Sequence, residues 1–232
     1  MEIQERAYRP IEAVQHRVLT GAFAWMTAGL GLTGLIAFAT ARSPALLELI
    51  YGNRLVFWGL ILAELALVFT LARALQRLGS AAGTGMFLLF SALNGLTLSS
   101  IFLLYTGTSL ASTFLVAAGM FGSVALYGFV TRRDLTSVGS FFFMGLIGIV
   151  LASLVNLFLQ SEAIYWAVTY LGVAVFLGLA AWDVQKLKNL GMQISGDGEA
   201  VARASILGAL ALYLDFINLF LLLLRILGGQ RN

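Results

Sequence analysis

Seven times along this chain an apolar run reaches the length that crosses a lipid bilayer. The runs cover roughly residues 18–40, 55–75, 84–105, 110–131, 138–159, 163–185 and 203–227. Each has about 20 residues or more, enough at about 1.5 Å per residue to cross a hydrocarbon core about 30 Å thick. In that core the backbone finds no water, so each segment must satisfy its own N–H and C=O groups. A helix does so within one segment, and the runs are too long and unbroken for barrel strands. Composition agrees. Hydrophobic residues make up 60% and charged residues 11%, with a mean hydropathy of +0.93, whereas a soluble domain carries about 25% charged residues. The expected fold is all-α: a polytopic membrane protein of seven transmembrane helices, bedded in the lipid bilayer as solvent.

The first run is too long for a signal-peptide core of about 7–15 residues, so it is expected to be retained. Residues 1–17, which mix both signs of charge, form a polar N-terminal segment, and residues 18–232 a single seven-helix domain. Both prolines, Pro10 and Pro44, are expected outside the helices. The stretch 186–202 is expected to be the longest loop and the part that moves most. Six of the segments can form two sets of three around the seventh. With alternating crossings, Arg6, Arg9, Arg17, Arg73, Arg77, Arg132, Arg133, Lys186, Lys188 and Arg203 fall on one side, and Arg42 and Arg54 on the other. The positive-inside rule then puts the N-terminus in the cytoplasm. Whether the seventh segment spans or re-enters stays open, and with it the side of Arg225 and Arg231.

Several chemistries are excluded or disfavoured. There is no cysteine, so no disulfide, thiolate site or cysteine nucleophile. The single histidine, His16, precludes a histidine-rich metal site. A net charge of +3, for all its pI near 9.4, is too small and scattered for nucleic acid. "GLGLTG" (29–34) lies in an apolar helix with no strand before it, which fails the context of a phosphate-binding loop. Small residues four apart, Ala118 with Gly122 and Ala174 with Gly178, suit close helix packing.

Three of the eleven acidic residues stand where lipid should surround them. Glu64 is about midway along the second segment and Asp215 about midway along the seventh. Asp183 is near the end of the sixth, with Lys186 and Lys188 beyond it. A charge at the bilayer centre costs about 2.5–3.5 kcal/mol on insertion scales, and such residues mark ion or proton paths by default. In helical register Asp215 shares a face with Gly208, Ala211 and Asn218, a small and polar face that should look into the bundle. If Asp183 and Asp215 meet, two like charges in an apolar site can share one proton. Protonated, the pair is a clasp between helices; deprotonated, it repels itself or attracts a cation. Carboxylate oxygens are what a hard ion such as calcium prefers, so the pair is also the candidate metal-contacting set. Asn94 and Asn218 are supporting polar residues. Their commoner role is helix-packing hydrogen bonding and their rarer one carbonyl donation to an ion.

"AWDVQKLKN" (181–189), followed about thirty residues later by "LYLDFINLFLLLLRIL" (212–227), resembles the Bax inhibitor-1 family, in its bacterial branch. "NGLTLSSIFLLYT" (94–106), "TRRDL" (131–135) and "LVNLFLQSEA" (154–163) match it too. The resemblance implies seven helices with the seventh at the centre, and a pH-sensitive calcium leak. Its sensor would be an aspartate pair at Asp183 and Asp215, and Glu64 would match a second-helix acid at the mouth or floor of the path. Some members lock the pair with an arginine on that helix. Here Arg73 and Arg77 are the residues to inspect, although Arg73 is about half a turn round from Glu64 and Leu75 takes the facing position. Trp182 stands where the family has tyrosine. No cofactor is implied, calcium being a permeant ion. A second implication is a binding partner, a membrane-anchored AAA protease engaged through "MEIQERAYRPIEAVQHR".

An enzyme is not expected. Intramembrane aspartyl proteases carry Gly-x-Gly-Asp, whereas Asp183 follows "AAW" and Asp215 follows "LYL". Asp197 has Gly196 before it but Ile194 at the other position. The overall expectation is a monomer in a bacterial inner membrane.

Overall fold

The computed structural model describes residues 2–194 and 198–229, the side chains of 2–12 and 72 excepted. Asp197 and Arg231 thus lie outside the described residues. Among the described residues there are no strands. The order is α1 (Glu2–Ala41), α2 (Pro44–Tyr51), α3 (Arg54–Leu78), α4 (Ser80–Thr97), a 3₁₀ turn (Leu98–Ser100), α5 (Ile101–Leu104), α6 (Gly107–Val130), α7 (Thr136–Leu159), α8 (Glu162–Gln193) and α9 (Gly198–Leu227). Seven stretches are long and apolar enough to cross a membrane: Ala13–Ala41, Arg54–Leu71, Ser80–Leu104, Gly107–Val130, Thr136–Leu159, Glu162–Gln193 and Gly198–Leu227. These are the seven apolar runs of the sequence.

Three local expectations are corrected. Pro10 lies within α1, whose helix begins at Glu2. Pro44 opens α2, a short helix not expected from hydropathy. Proline fits the first helical position because the N–H it lacks has no partner there, and Ser43 Oγ accepts from Leu46 N beside it. Nor is 186–202 one long loop. Helix α8 continues to Gln193 and α9 begins at Gly198, so Asp183 lies well inside a helix rather than near its end.

The described residues form two compact units. One takes residues up to Thr106 together with Leu187–Tyr213; the other takes Gly107–Lys186 and Leu214–Gly229. The first three spans thus fall in one unit and the fourth and fifth in the other, while α8 and α9 each contribute to both, α8 dividing after Lys186 and α9 after Tyr213. α9 is also the most enclosed span: 72% of its apolar 18-residue stretch is buried, against none of the corresponding stretch of α7, where Gly139 is the buried residue of the helix.

In the first unit α3 and α4 are joined through a single residue, Gly79, at φ 91°. A side chain would be strained in that left-handed conformation. Glu199 at the start of α9 accepts from both Ser80 N (2.7 Å) and Ser80 Oγ (2.6 Å). The free N–H at the start of α4 is thus satisfied by a carboxylate from another helix. In the second unit α6 buries Leu110, Thr113, Ala117, Phe121, Ala125 and Gly128, a stripe at helical spacing. Gly122 is off that stripe, and a Cβ there would meet nothing. The close approaches are elsewhere: Gly128 lies on the Ala181 backbone, Gly139 under the Trp182 ring and Gly178 under Phe142.

Candidate functional site

In the second unit, α9 places Asp215 one residue before Phe216, whose ring meets Phe114 and Phe121 edge to face at 5.4 and 5.5 Å. This aromatic packing seats the turn firmly, and Asp215 is only 6% exposed. Its Oδ2 is buried without a hydrogen-bond partner among the described residues. Buried polar atoms nearly always have one, so this oxygen has bonding capacity to spare. α8 brings Asp183 close enough for its charge to act on Asp215. Asp183 is itself half-buried, and the Lys186 charge acts on it one helical turn later. The Lys186 ammonium lies over the Trp182 ring at 5.1 Å.

Two amides near the pair in sequence are already engaged, whereas Thr113 Oγ1 of the same unit is, like Asp215 Oδ2, buried without a hydrogen-bond partner among the described residues. Asn218 Nδ2 donates to Leu214 O at 2.8 Å, within its own helix. Gln185, buried and two residues from Asp183, has both ends of its amide in use. Its Oε1 accepts from Leu135 N and its Nε2 donates to Arg133 O, both at 2.8 Å. The amide pins the link between α6 and α7 to the helix that carries Asp183. Sequence reading missed Gln185, since only its burial sets it apart from an ordinary polar residue near basic ones.

The first unit holds Glu64. Its Oε1 accepts from Thr97 Oγ1 at 2.9 Å and its Oε2 from Asn94 Nδ2 at 3.2 Å. Asn94 Oδ1 accepts from Tyr213 Oη at 3.1 Å. Tyr213 Oη lies 2.7 Å from Thr33 Oγ1, which donates to Ser91 O at 2.8 Å. Tyr213 is wholly buried, its ring edge to face with Phe87 and Phe90. Tyr213, Thr33 and Thr97 were missed by the sequence reading; each is unremarked in an apolar run until helices bring Thr97 against Glu64, Tyr213 against Asn94 and Thr33 against Tyr213. Arg73 and Arg77 are exposed, and neither forms an ion pair among the described residues. Leu75 is buried, with Gly83 against it.

No group of three or more histidine, aspartate or glutamate side chains that could hold a metal ion occurs among the described residues. Calcium takes about 6–8 oxygen ligands, so two carboxyl groups can offer an ion only part of its shell.

Comparison with known proteins gives a consistent result. The family model described as "Inhibitor of apoptosis-promoting Bax1" matches residues 15–232. The chain is 58% identical over 210 residues, 90% of each chain, to "Inner membrane protein YbhL" of Escherichia coli K12. It is 42% identical over 219 residues, 94% of each chain, to an "Uncharacterized protein" of Borreliella burgdorferi. It is also 42% identical to "Uncharacterized protein RP147" of Rickettsia prowazekii, over 93% of this chain and 91% of that one.

Proposed function

This chain belongs to the Bax inhibitor-1 family, and on that premise we propose that it is a pH-sensitive calcium leak of a bacterial inner membrane, gated by Asp183 and Asp215. The observation that carries this reading is the buried Asp215 Oδ2, without a hydrogen-bond partner and within electrostatic reach of a second carboxyl group. With one proton between them the two groups hold each other, and α8 and α9 stay clasped. Without it they repel, and a cation is the natural replacement. Glu64 lines the path, and no catalytic step is involved. The protein acts as a monomer with its N-terminus in the cytoplasm, as the basic residues of one face suggest. The inner-membrane assignment follows the name of the Escherichia coli relative and the seven apolar stretches.

The test is calcium flux into liposomes holding the purified protein, across about pH 5 to 8, with Asp183→Asn and Asp215→Asn beside the parent. The expected result is flux that varies with pH in the parent and loses that dependence in both variants. A silent parent would sink the leak. The partner reading, in which the chain modulates a membrane-anchored AAA protease, would then take its place. Removing the polar N-terminal residues should abolish that interaction and leave flux intact.

A further inference from the structure

The unit that holds Asp215 has a second buried polar atom without a partner. Thr113 of α6 is 1% exposed, and its Oγ1 meets no hydrogen-bonding group among the described residues. A threonine in a helix has a ready acceptor in the carbonyl four residues back. Thr27, Thr70, Thr84 and Thr169 each donate to that carbonyl, at 2.6–2.9 Å. For Thr113 the carbonyl is that of Ser109, and the Ser112 hydroxyl takes it at 3.2 Å. The Thr113 hydroxyl is turned elsewhere, although an unpaired hydroxyl in a dry interior is destabilising.

The neighbouring rings set its level. Phe114 lies edge to face with Phe216 at 5.4 Å and with Phe220 at 6.1 Å, and Phe121 with Phe216 at 5.5 Å. α6 and this half of α9 therefore run antiparallel, with Phe216 level with the middle of the stretch from Phe114 to Phe121. Thr113 shares the buried stripe of α6 with Ala117 and Phe121, the side that packs on Phe216. Asp215 is one residue before Phe216. The levels of Thr113 and Asp215 are thus about 8 Å apart, at about 1.5 Å per residue. Asn218 falls between them, and with its Nδ2 given to Leu214 O its Oδ1 is left as an acceptor. A buried water makes about two to four hydrogen bonds, each about 2.8 Å long, so two waters in series span the gap.

We infer that Thr113 Oγ1 and Asp215 Oδ2 are the two ends of an internal water site between α6 and α9, with Asn218 Oδ1 beside it. The hydroxyl can donate to one water and accept from another, and the carboxyl oxygen accepts at the far end. Polar atoms that no side chain satisfies are the lining a buried water needs, whereas an apolar cavity stays dry. Phe121 and Phe216, each 3% exposed, line the site and are closed to the outside. The site leads from Asp215 toward the first turn of α6. The end of α9 is tied there, Gly229 N donating to Ser109 Oγ at 2.9 Å. None of this rests on the calcium reading: it follows from two unpartnered atoms and the packing of three rings.

The test is radiolytic hydroxyl-radical labelling of the purified full-length protein in lipid vesicles, read residue by residue by mass spectrometry. The radicals form from water, so a buried ring is labelled where water lies against it. In the parent, Phe121 and Phe216 should be labelled several-fold more than Phe87, which is wholly buried in the other unit. Thr113→Val keeps the side-chain shape, removes the hydroxyl and should reduce the labelling of Phe216 several-fold. Thr113→Ser keeps the hydroxyl and should retain the labelling. Phe121 and Phe216 labelled no more than Phe87 in the parent would overturn the site, and that reading needs no variant to fold. Labelling of Phe216 unchanged in folded Thr113→Val would overturn the assignment of Thr113 to it. A parent that passes no calcium leaves the labelling as it is, so failure of the leak and failure of the water site are told apart.

Discussion

Glu64 and Asp215 are both carboxyl groups in helices apolar enough to cross a membrane, yet their surroundings differ in kind. Glu64, half-buried in the first unit, has a hydrogen-bond partner on each oxygen. Asp215, more deeply buried in the second, has an oxygen with none. A fully partnered polar group in a low-dielectric site fixes one arrangement of helices, because any other would strand its donors. A partly partnered one costs stability and persists where something else compensates, which is the pattern of functional sites. On this contrast, the first cluster holds its unit together and fixes Glu64 in place, and the second is where the proposed pH response would arise.

The largest effect should come from the middle of the first cluster. Tyr213→Ala removes a wholly buried ring together with the hydroxyl that links Thr33 to Asn94. Emptying an aromatic site of this kind costs about 3–5 kcal/mol. Denaturant or thermal unfolding of the purified protein should show the loss. A cost below about 1 kcal/mol would mean that the ring's neighbours close over the space and that the cluster is not what holds the unit.

A smaller, paired effect addresses the contrast directly. Glu64→Leu leaves the Asn94 amide and the Thr97 hydroxyl without their acceptor and should cost about 1–2 kcal/mol, since two half-buried donors are stranded. Asp215→Asn deletes no hydrogen bond of the unpartnered oxygen and removes a charge acting against Asp183. It should change stability by less than about 1 kcal/mol while abolishing the pH dependence of flux. If Asp215→Asn is the costlier of the two, Asp215 is a structural residue and the contrast fails.

What was legible in the sequence follows from how far each signal reaches. The seven spans were legible because bilayer thickness sets a length that each apolar run must meet by itself. Asp215 was legible as inward-facing because Gly208, Ala211 and Asn218 lie on its own helix. Of these, Gly208 is buried against Leu187 and Ala22, whereas Ala211 and Asn218 are only half-buried, so the expected inward face is met in part. Helix ends were less legible. Hydropathy stops at the edge of the lipid-like run, whereas α8 continues through Lys186 and Lys188 to Gln193 on hydrogen bonds that a polar sequence serves equally well. Pro10 read as a breaker, yet α1 runs through it. Partners across helices were not legible at all. Nothing in 30–36 distinguishes Thr33 from other threonines until α1, α4 and α9 are packed together. Gln185 likewise has no signal before the Arg133–Leu135 backbone is folded against it.

The smallest effect is the control that keeps the pH argument on the buried pair. Asp134 lies in the same unit as Asp183 and Asp215, but exposed, in the link between α6 and α7. The Thr136 hydroxyl, and then its backbone N–H at 2.9 Å, hold the Asp134 carboxyl below the usual carboxylate range. A carboxyl group depressed in this way stabilises the fold above its unfolded value of about 3.9. That contribution is lost only as the pH falls through the lower folded value. Across about pH 5 to 8 it is therefore constant, and Asp134 cannot shape a flux profile there. Asp134→Asn preserves the acceptor that starts α7. It should leave the normalised flux profile unchanged and lower the thermal midpoint slightly at neutral pH, a difference that disappears in strong acid, where Asp134 is itself uncharged. A flux profile that moves with Asp134→Asn would place the pH response in the exposed loop, and the unpartnered oxygen of Asp215 would no longer be needed to explain it.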